Sequence, residues 1–277
     1  MTQIKLTSTL GKISSDAEDE QEKLSDFFKG IVRWEVEKNG TRRTLPFFYL
    51  DGLSLNAIFT ASTSEVRKLI SSQHLHPMEV LPGRCLVVFS SWEFRETVGE
   101  PFDEVVIQFL VTYPKRQIFF LPLLKAMAGG IFRAFIWKLP VSSEYSRAGG
   151  VDLFGAPKYI AQIHFNKDPE WVCCSLSEDG CEVLKLKGKV LPTTRGKPIR
   201  AVSYWPGYGG QLMSNVLINP VEFGQTWNKS AFELWIGENH PLCVSLRNLK
   251  LSKNPLLYQY TPRYEQILFP ARNLCDI

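Results

Sequence analysis

The chain has 277 residues, 44% of them hydrophobic and 22% charged, with a formal net charge of +4. That length suffices for one large β domain or two small ones. The charge is spread along the chain, so neither a nucleic-acid footprint nor a cationic block for anionic lipid is expected. The opening residues, MTQIKLTSTLGKISSDAEDEQEK, contain no apolar signal core, and the expected location is cytoplasmic. Cys85, Cys173, Cys174, Cys181, Cys243 and Cys275 lack paired C-x-x-C spacing and read as reduced thiols.

Residues 1–29 read as a polar N-terminal segment. Asp16–Lys29 is expected to form a surface helix with Leu24, Phe27 and Phe28 as its apolar stripe. The core domain is expected over residues 30–277. Asn39-Gly40 stands between alternating runs and predicts a hairpin. LNAIFTAS reads as a strand, and Thr63 is expected to cap a short helix over SEVRKLISSQ. Strand signals then dominate: RCLVVFSSWEF, EVVIQFLVTY, AFIWKLPV, YIAQIHF, WVCCSLSE, CEVLKLKGKVL, SNVLINPVEF, FELWIG and YEQILFP. Many short strands with few helices predict a mainly β fold (α+β by content). The expected architecture is one curved or closed antiparallel β-barrel with a few peripheral helices. Residues 118–137, IFFLPLLKAMAGGIFRAFIW, are long enough to span a bilayer. Lys125, Arg133, Pro122 and Gly129-Gly130 argue against a stable span. The segment reads instead as an apolar insertion, a buried strand followed by a helical hairpin or lid. It would cover a pocket or pack on a second copy, and a homo-oligomer is expected.

The chemistry concentrates in Leu139-Pro-Val-Ser-Ser-Glu144 and Gly149-Gly-Val-Asp-Leu-Phe-Gly-Ala-Pro-Lys158. Lys158 follows a Gly-x-Pro turn and opens the alternating strand YIAQIHF, where a side chain can point into a barrel. A lysine amine is a nucleophile only when burial or a neighbouring cation releases its proton. Taken alone, a lysine at a strand start is ordinarily exposed. A second candidate is Glu104, in Gly99-Glu-Pro-Phe-Asp-Glu104. By alternation Glu104, Val106 and Gln108 share one face of a strand, and Val105, Ile107 and Phe109 the other. A pocket-facing carboxylate there could orient substrate or move a proton. His74, His76, His164 and His240 have no ligand spacing, so no metal and no cofactor is expected. No phosphate-binding glycine loop and no Gly-x-Ser-x-Gly elbow occurs.

The stretch LPVSSEYSRAGGVDLFGAPKYIAQIHF, residues 139–165, resembles the acetoacetate decarboxylase family. The family's Schiff-base lysine falls on Lys158. Glu100-Pro-Phe-Asp-Glu104 is similar to the family's Gly-x-Tyr-x-Glu, whose active-site glutamate falls on Glu104. Weaker matches extend the resemblance over roughly residues 45–270, through LNAIFTASTSEVRKLI, NVLINPVEF, ENHPLCVSLRNLKL and TPRYEQILFP. The resemblance implies a lyase that forms an iminium on Lys158 with a small oxo acid and releases carbon dioxide. Glu104 would assist, and Phe94, Phe102, Phe154, Gly155 and Tyr159 would contribute to substrate binding. The chain departs from the family at three places. Tyr159 stands where a second lysine follows the Schiff-base lysine. PFFYLDGLSLN lacks the early-strand arginine, and VVFSSWEF offers Ser90 or Ser91 for another pocket glutamate. The altered pocket also suits aldol or dehydratase chemistry on an oxo acid, or a non-catalytic barrel that binds a hydrophobic carboxylate.

Overall fold

A computed structural model describes residues 24–117, 121, 123, 128–207 and 210–274. The chain divides into two compact units, residues 1–32 and 33–277. In the first, the expected helix lies largely outside the described residues. Residues 24–30 form turns, with the Phe28 amide donating to the Ser25 carbonyl at 3.1 Å. The Ser25 hydroxyl takes the Phe27 amide, a local bond that competes with helix.

The second unit begins with a two-stranded hairpin, β1 (Trp34–Lys38) and β2 (Thr41–Leu45), turned at Asn39-Gly40. Both turn residues have positive φ, 54° and 79°, as the sequence pair predicts. Next come β3 (Phe47–Ser62), helix α1 (Thr63–Leu69), β4 (His76–Pro77), β5 (Glu79–Leu81), β6 (Arg84–Thr97) and β7 (Phe102–Thr112). The cap of α1 is Ser62 rather than Thr63, and no side chain closes it. β8 (Ile131–Val141) leads through helix α2 (Glu144–Ala148) and a π-helical turn (Gly149–Leu153) to β9 (Lys158–Ile160). A separate sheet holds β10 (Gln162–Lys167), β11 (Trp171–Glu178), β12 (Cys181–Lys189) and β15 (Phe232–Ile236). β13 (Ile199–Gly207), β14 (Gly210–Thr226), helix α3 (Pro241–Asn248), β16 (Leu257–Leu268) and β17 (Arg272–Asn273) complete the fold.

Seven strands close a barrel in the order β7-β6-β3-β16-β14-β13-β8, and β8 returns to β7. The ring is mixed. Six joins are antiparallel, but β8 and β13 run parallel from Ile131↔Arg200 to Phe135↔Tyr204. β9 also runs parallel to β8. Turn signals alone do not reveal parallel joins, because the connecting crossover is remote in sequence.

The barrel wall is buried on both faces along β7. Val105, Ile107, Phe109 and Val111 point outward into the main core, shared with Ile163, Cys174 and Leu176 of the four-stranded sheet. Phe102, Glu104, Val106 and Gln108 point inward to the barrel cavity. This arrangement gives the near-continuous apolar run of the strand. The apolar segment expected at 118–137 ends earlier than its hydropathy suggests. From Ile131 it is barrel wall, with Phe135 in the main core and Ile136 in the cavity. Residues 118–120, 122 and 124–127, where the strand and lid were expected, lie outside the described residues. No helix among the described residues is long and apolar enough to cross a membrane. Cys85, Cys173, Cys174, Cys181 and Cys243 are free thiols.

Asp103 sits opposite Glu93 on the outer side of the wall. Burial first, then the Glu93 charge, pushes its carboxyl up to about 6 from an ordinary 3.8. An acid held above its unfolded value weakens the fold where it must ionise. The penalty is absent below the unfolded value and complete above about 6. Asp103→Asn is therefore expected to raise Tm by about 2–4 °C at pH 8. Thermal melts from pH 8 to pH 4 should show that gap closing as the pH falls.

Candidate active site

Strand pairing, rather than proximity in sequence, brings the two leading residues together. β8 lies between β7 and β9. Leu139↔Lys158 are in register on one side of it and Glu104↔Val141 on the other. Residues directly opposed in a sheet share a face, so Lys158 and Glu104 reach over β8 into the same interior. Lys158 Nζ lies 2.8 Å from Glu104 Oε2, and the two side chains are only 9% and 12% exposed. Nζ also donates to Ser146 Oγ on α2 at 2.8 Å. The Phe102 ring centroid lies 5.1 Å from Nζ, within cation–π range. The amine is therefore held on three sides.

The π-helical turn makes room for the lysine stem. A Cβ on Gly150 would stand 2.4 Å from Lys158 Cδ, well inside contact distance. The turn is fastened from several directions. The Ala156 amide donates to the Gly150 carbonyl at 2.9 Å. Trp205 Nε1 donates to the Phe154 carbonyl at 3.0 Å, and Thr41 Oγ1 to Asp152 Oδ2 at 2.5 Å. Substituting Gly150→Ala is expected to drive Lys158 away from Glu104 and to cost about 1–3 kcal/mol through overpacking. Reductive methylation read by mass spectrometry should then label Lys158 several-fold faster than in the parent protein.

The amine faces a cavity of about 180 Å³. Its walls are largely apolar, with Trp92, Phe94, Phe102, Phe154 and Trp205 among the aromatic members. Phe94 stacks on Phe102 with centroids 4.5 Å apart, and Phe47 on Phe154 at 5.3 Å. The phenols of Tyr49 and Tyr264 are both buried, and burial first, then the Glu104 charge, pushes both well above the usual range. They stay neutral beside the ion pair. The remaining polar lining includes Gln108 and Ser203. Among the described residues no group of three His, Cys, Asp or Glu side chains could hold a metal ion.

The profile of the acetoacetate decarboxylase family matches residues 36–216, more than half of the chain. The chain belongs to that family. No curated protein matches the sequence. Among solved structures, the acetoacetate decarboxylase of Legionella pneumophila subsp. pneumophila str. Philadelphia 1 has a TM-score of 0.58 at 12% identity. The match covers 82% of this chain and 86% of that one. The enduracididine biosynthesis enzyme MppR, solved with the condensation product of pyruvate and imidazole 4-carboxaldehyde, has a TM-score of 0.57 at 15% identity. It covers 82% of this chain and 88% of that one. An acetoacetate decarboxylase-like enzyme from Sphingomonas wittichii RW1 has a TM-score of 0.51 at 12% identity, covering 81% and 90%. These likenesses establish a shared fold.

Against the family pattern, Phe94, Phe102 and Phe154 line the cavity with Lys158 and Glu104, whereas Gly155 and Tyr159 do not. Gly155 has φ +60° and turns the backbone out of the π-helical turn, a conformation glycine adopts freely. Tyr159 obeys strand alternation: with Lys158 facing the cavity, its ring packs on the main core behind the wall. Its hydroxyl donates to Glu178 Oε1 at 2.7 Å, and Glu178 Oε2 lies 3.5 Å from His240 Nε2. Burial and then that hydrogen bond push the Tyr159 phenol up, so it stays a donor. Phe47, Phe48 and Tyr49 line the cavity where the early-strand arginine was sought, and the described lining contains no arginine. Ser90 Oγ accepts a long bond from Gln108 Nε2 at 3.5 Å, and Gln108 rather than either serine lines the cavity. Ser146 and Tyr49 were not singled out in the sequence. Nothing in SSEYSRAGG marks Ser146, since only the turn of α2 selects which serine faces inward. Tyr159→Phe is expected to cost about 1 kcal/mol of stability in a denaturant titration. It should leave the cavity and its ligands unaffected.

Proposed function

We propose that the chain is a Schiff-base enzyme acting on a small oxo acid, with Lys158 as nucleophile and Glu104 as its proton partner. The observation that carries this reading is the buried Lys158–Glu104 pair, 2.8 Å apart, at the wall of an aromatic cavity. A lysine that served only for charge balance would ordinarily lie at the surface.

The chemistry follows from the positions. Glu104 takes a proton from the Lys158 ammonium, and the free amine attacks the substrate carbonyl to give a carbinolamine. The same proton, returned from Glu104, lets the hydroxyl leave as water, and an iminium remains on Lys158. With a β-keto acid, the bond to the carboxylate breaks and its electron pair moves into the iminium. Carbon dioxide leaves, an enamine forms, and a proton taken up from solvent, relayed through Glu104, converts it to the product iminium. Water then hydrolyses the iminium and restores the amine. Ser146 holds Nζ in line, and the aromatic walls keep out bulk water.

A second reading keeps the lysine and changes the carbon chemistry. MppR, of the same fold, was solved with a condensation product of pyruvate and an aldehyde. The enamine on Lys158 could likewise attack an aldehyde carbonyl rather than take up a proton. The described cavity lining contains no arginine, so any small oxo acid finds few cationic anchors there.

Sodium borohydride reduction during incubation with acetoacetate, or with pyruvate plus an aldehyde, tests the proposal. A mass increment on Lys158 is expected by peptide mass spectrometry, and none in Lys158→Ala. Glu104→Gln should slow trapping and turnover by about 10²–10⁴-fold. No adduct across a panel of oxo acids would refute the Schiff-base reading. Carbon dioxide release distinguishes decarboxylation from condensation.

A further inference from the structure

Beside the aromatic cavity lies a second hollow, lined by Glu35, Arg42, Arg43, Phe47, Val98 and Tyr145 among others. Phe47, Val98 and Tyr145 line both spaces, so the hollow adjoins the cavity as a candidate vestibule. Its cations come from β2, part of a hairpin that stands outside the barrel sheet. The two arginines differ. Arg42 is exposed and engaged by Glu37 at 2.8 Å. Arg43, on the opposite face of the strand, stacks over the Tyr145 ring with Cζ 3.7 Å from the centroid. Its Nη1 donates to the Arg42 carbonyl at 2.7 Å. Its Nε is buried and has no hydrogen-bond partner.

A buried guanidinium N–H without an acceptor is costly and uncommon. Nε and one terminal nitrogen form the fork that takes a carboxylate edge-on. Stacking on Tyr145 fixes the plane of that fork in advance. Its location links it to the reacting end. A Cβ built on Gly149 would lie 3.4 Å from Phe47 and 3.9 Å from Arg43 Nε, and one built on the adjacent Gly150 would meet Lys158 Cδ at 2.4 Å. The two cations thus flank one glycine dipeptide.

We propose that Arg43 forms an anion subsite for the distal carboxylate of an extended oxo acid whose carbonyl is seated at Lys158. The inference rests on the Schiff-base reading of Lys158 and deepens it. The substrate class proposed is an oxo acid with several bonds between carbonyl and carboxylate, so that one group sits in the cavity and the other in the vestibule.

The test compares borohydride trapping of 4-oxopentanoate, 6-oxoheptanoate and 8-oxononanoate with that of their methyl esters. In the parent protein, at least one acid should half-saturate trapping at a concentration about 10–100-fold below its ester, the range for hydrogen bonds to a charged group. In Arg43→Gln the acid-to-ester ratio should fall to about one. The ratio is read within one protein, so a general loss of stability does not mimic the effect. Equal acid and ester behaviour in the parent, or a ratio that survives the substitution, would overturn the subsite. If no ketone is trapped at all, the Schiff-base reading fails, and the subsite is judged by calorimetry with hexanedioate. Binding weakened at least tenfold by Arg43→Gln would support it; no binding, or unchanged binding, would overturn it.

Discussion

The arrangement depends on one ion pair held almost out of water. Lys158 and Glu104 bury a positive and a negative charge in an aromatic cavity. Desolvating two charges costs several kcal/mol per ion, and their attraction offsets this only when geometry is tight and further hydrogen bonds are made. Ser146 and the Phe102 ring supply those further contacts. A pair of this kind is weak evidence for stability, since apolar residues of the same volume would pack as well. It is better evidence for chemistry, because removing either partner leaves a buried charge beside an empty, apolar space.

The barrel exists to hold that pair across a single strand. β8 is paired to β13 along its first half and to β9 beside its end, with β7 on the opposite side. Lys158 therefore enters where β13 has left off. The short parallel β9 has only three residues and could not hold position alone. It is fixed from behind by Tyr159, which is tied to Glu178, and from in front by the glycine-bearing turn. The second lysine of the family pattern has become a structural phenol on the far side of the wall. Strand alternation makes that outcome nearly unavoidable once Lys158 points inward.

Much of this was legible in the chain. Alternation in Glu104-Val-Val-Ile-Gln108 placed the glutamate on the face that turned out to be the cavity. The Asn39-Gly40 turn was likewise readable, because it depends on local pattern, whereas Phe94, Phe102 and Phe154, which line the cavity, carry no such local mark. What was not legible depends on pairing between remote segments. The parallel join of β8 to β13 has no local signal, and neither has the choice of Ser146 over Ser142 and Ser143. The hydropathy of residues 118–137 misled for a physical reason. A barrel strand whose middle is buried on both faces, as Ala134–Ile136 is, has the same composition as part of an apolar insertion. Tyr159 is placed in the pocket by the resemblance alone, as the position of the family's second lysine, whereas the pleat turns its ring to the main core.

On the proposed Schiff-base reading and Arg43 subsite, the cavity and vestibule together predict two fates for a substrate carboxylate. With the Lys158 amine converted to an iminium, that one positive charge faces Glu104 and Glu100 in the same lining, and no other cation of the described lining is left over for the carboxylate. A carboxylate seated among Phe94, Phe102 and Phe154 is then a surplus anion in apolar surroundings, desolvated and next to an electron sink. Loss of carbon dioxide relieves both conditions. A carboxylate placed at Arg43 meets a fixed guanidinium, stays solvated by its fork, and lies too far from the iminium to donate its bond electrons. The same lysine would then direct reactivity to the carbon next to the iminium, as enamine chemistry requires. Whether carbon dioxide leaves or a carbon–carbon bond forms would thus be decided by which of the two places the carboxylate occupies, with Lys158 and Glu104 unchanged between them.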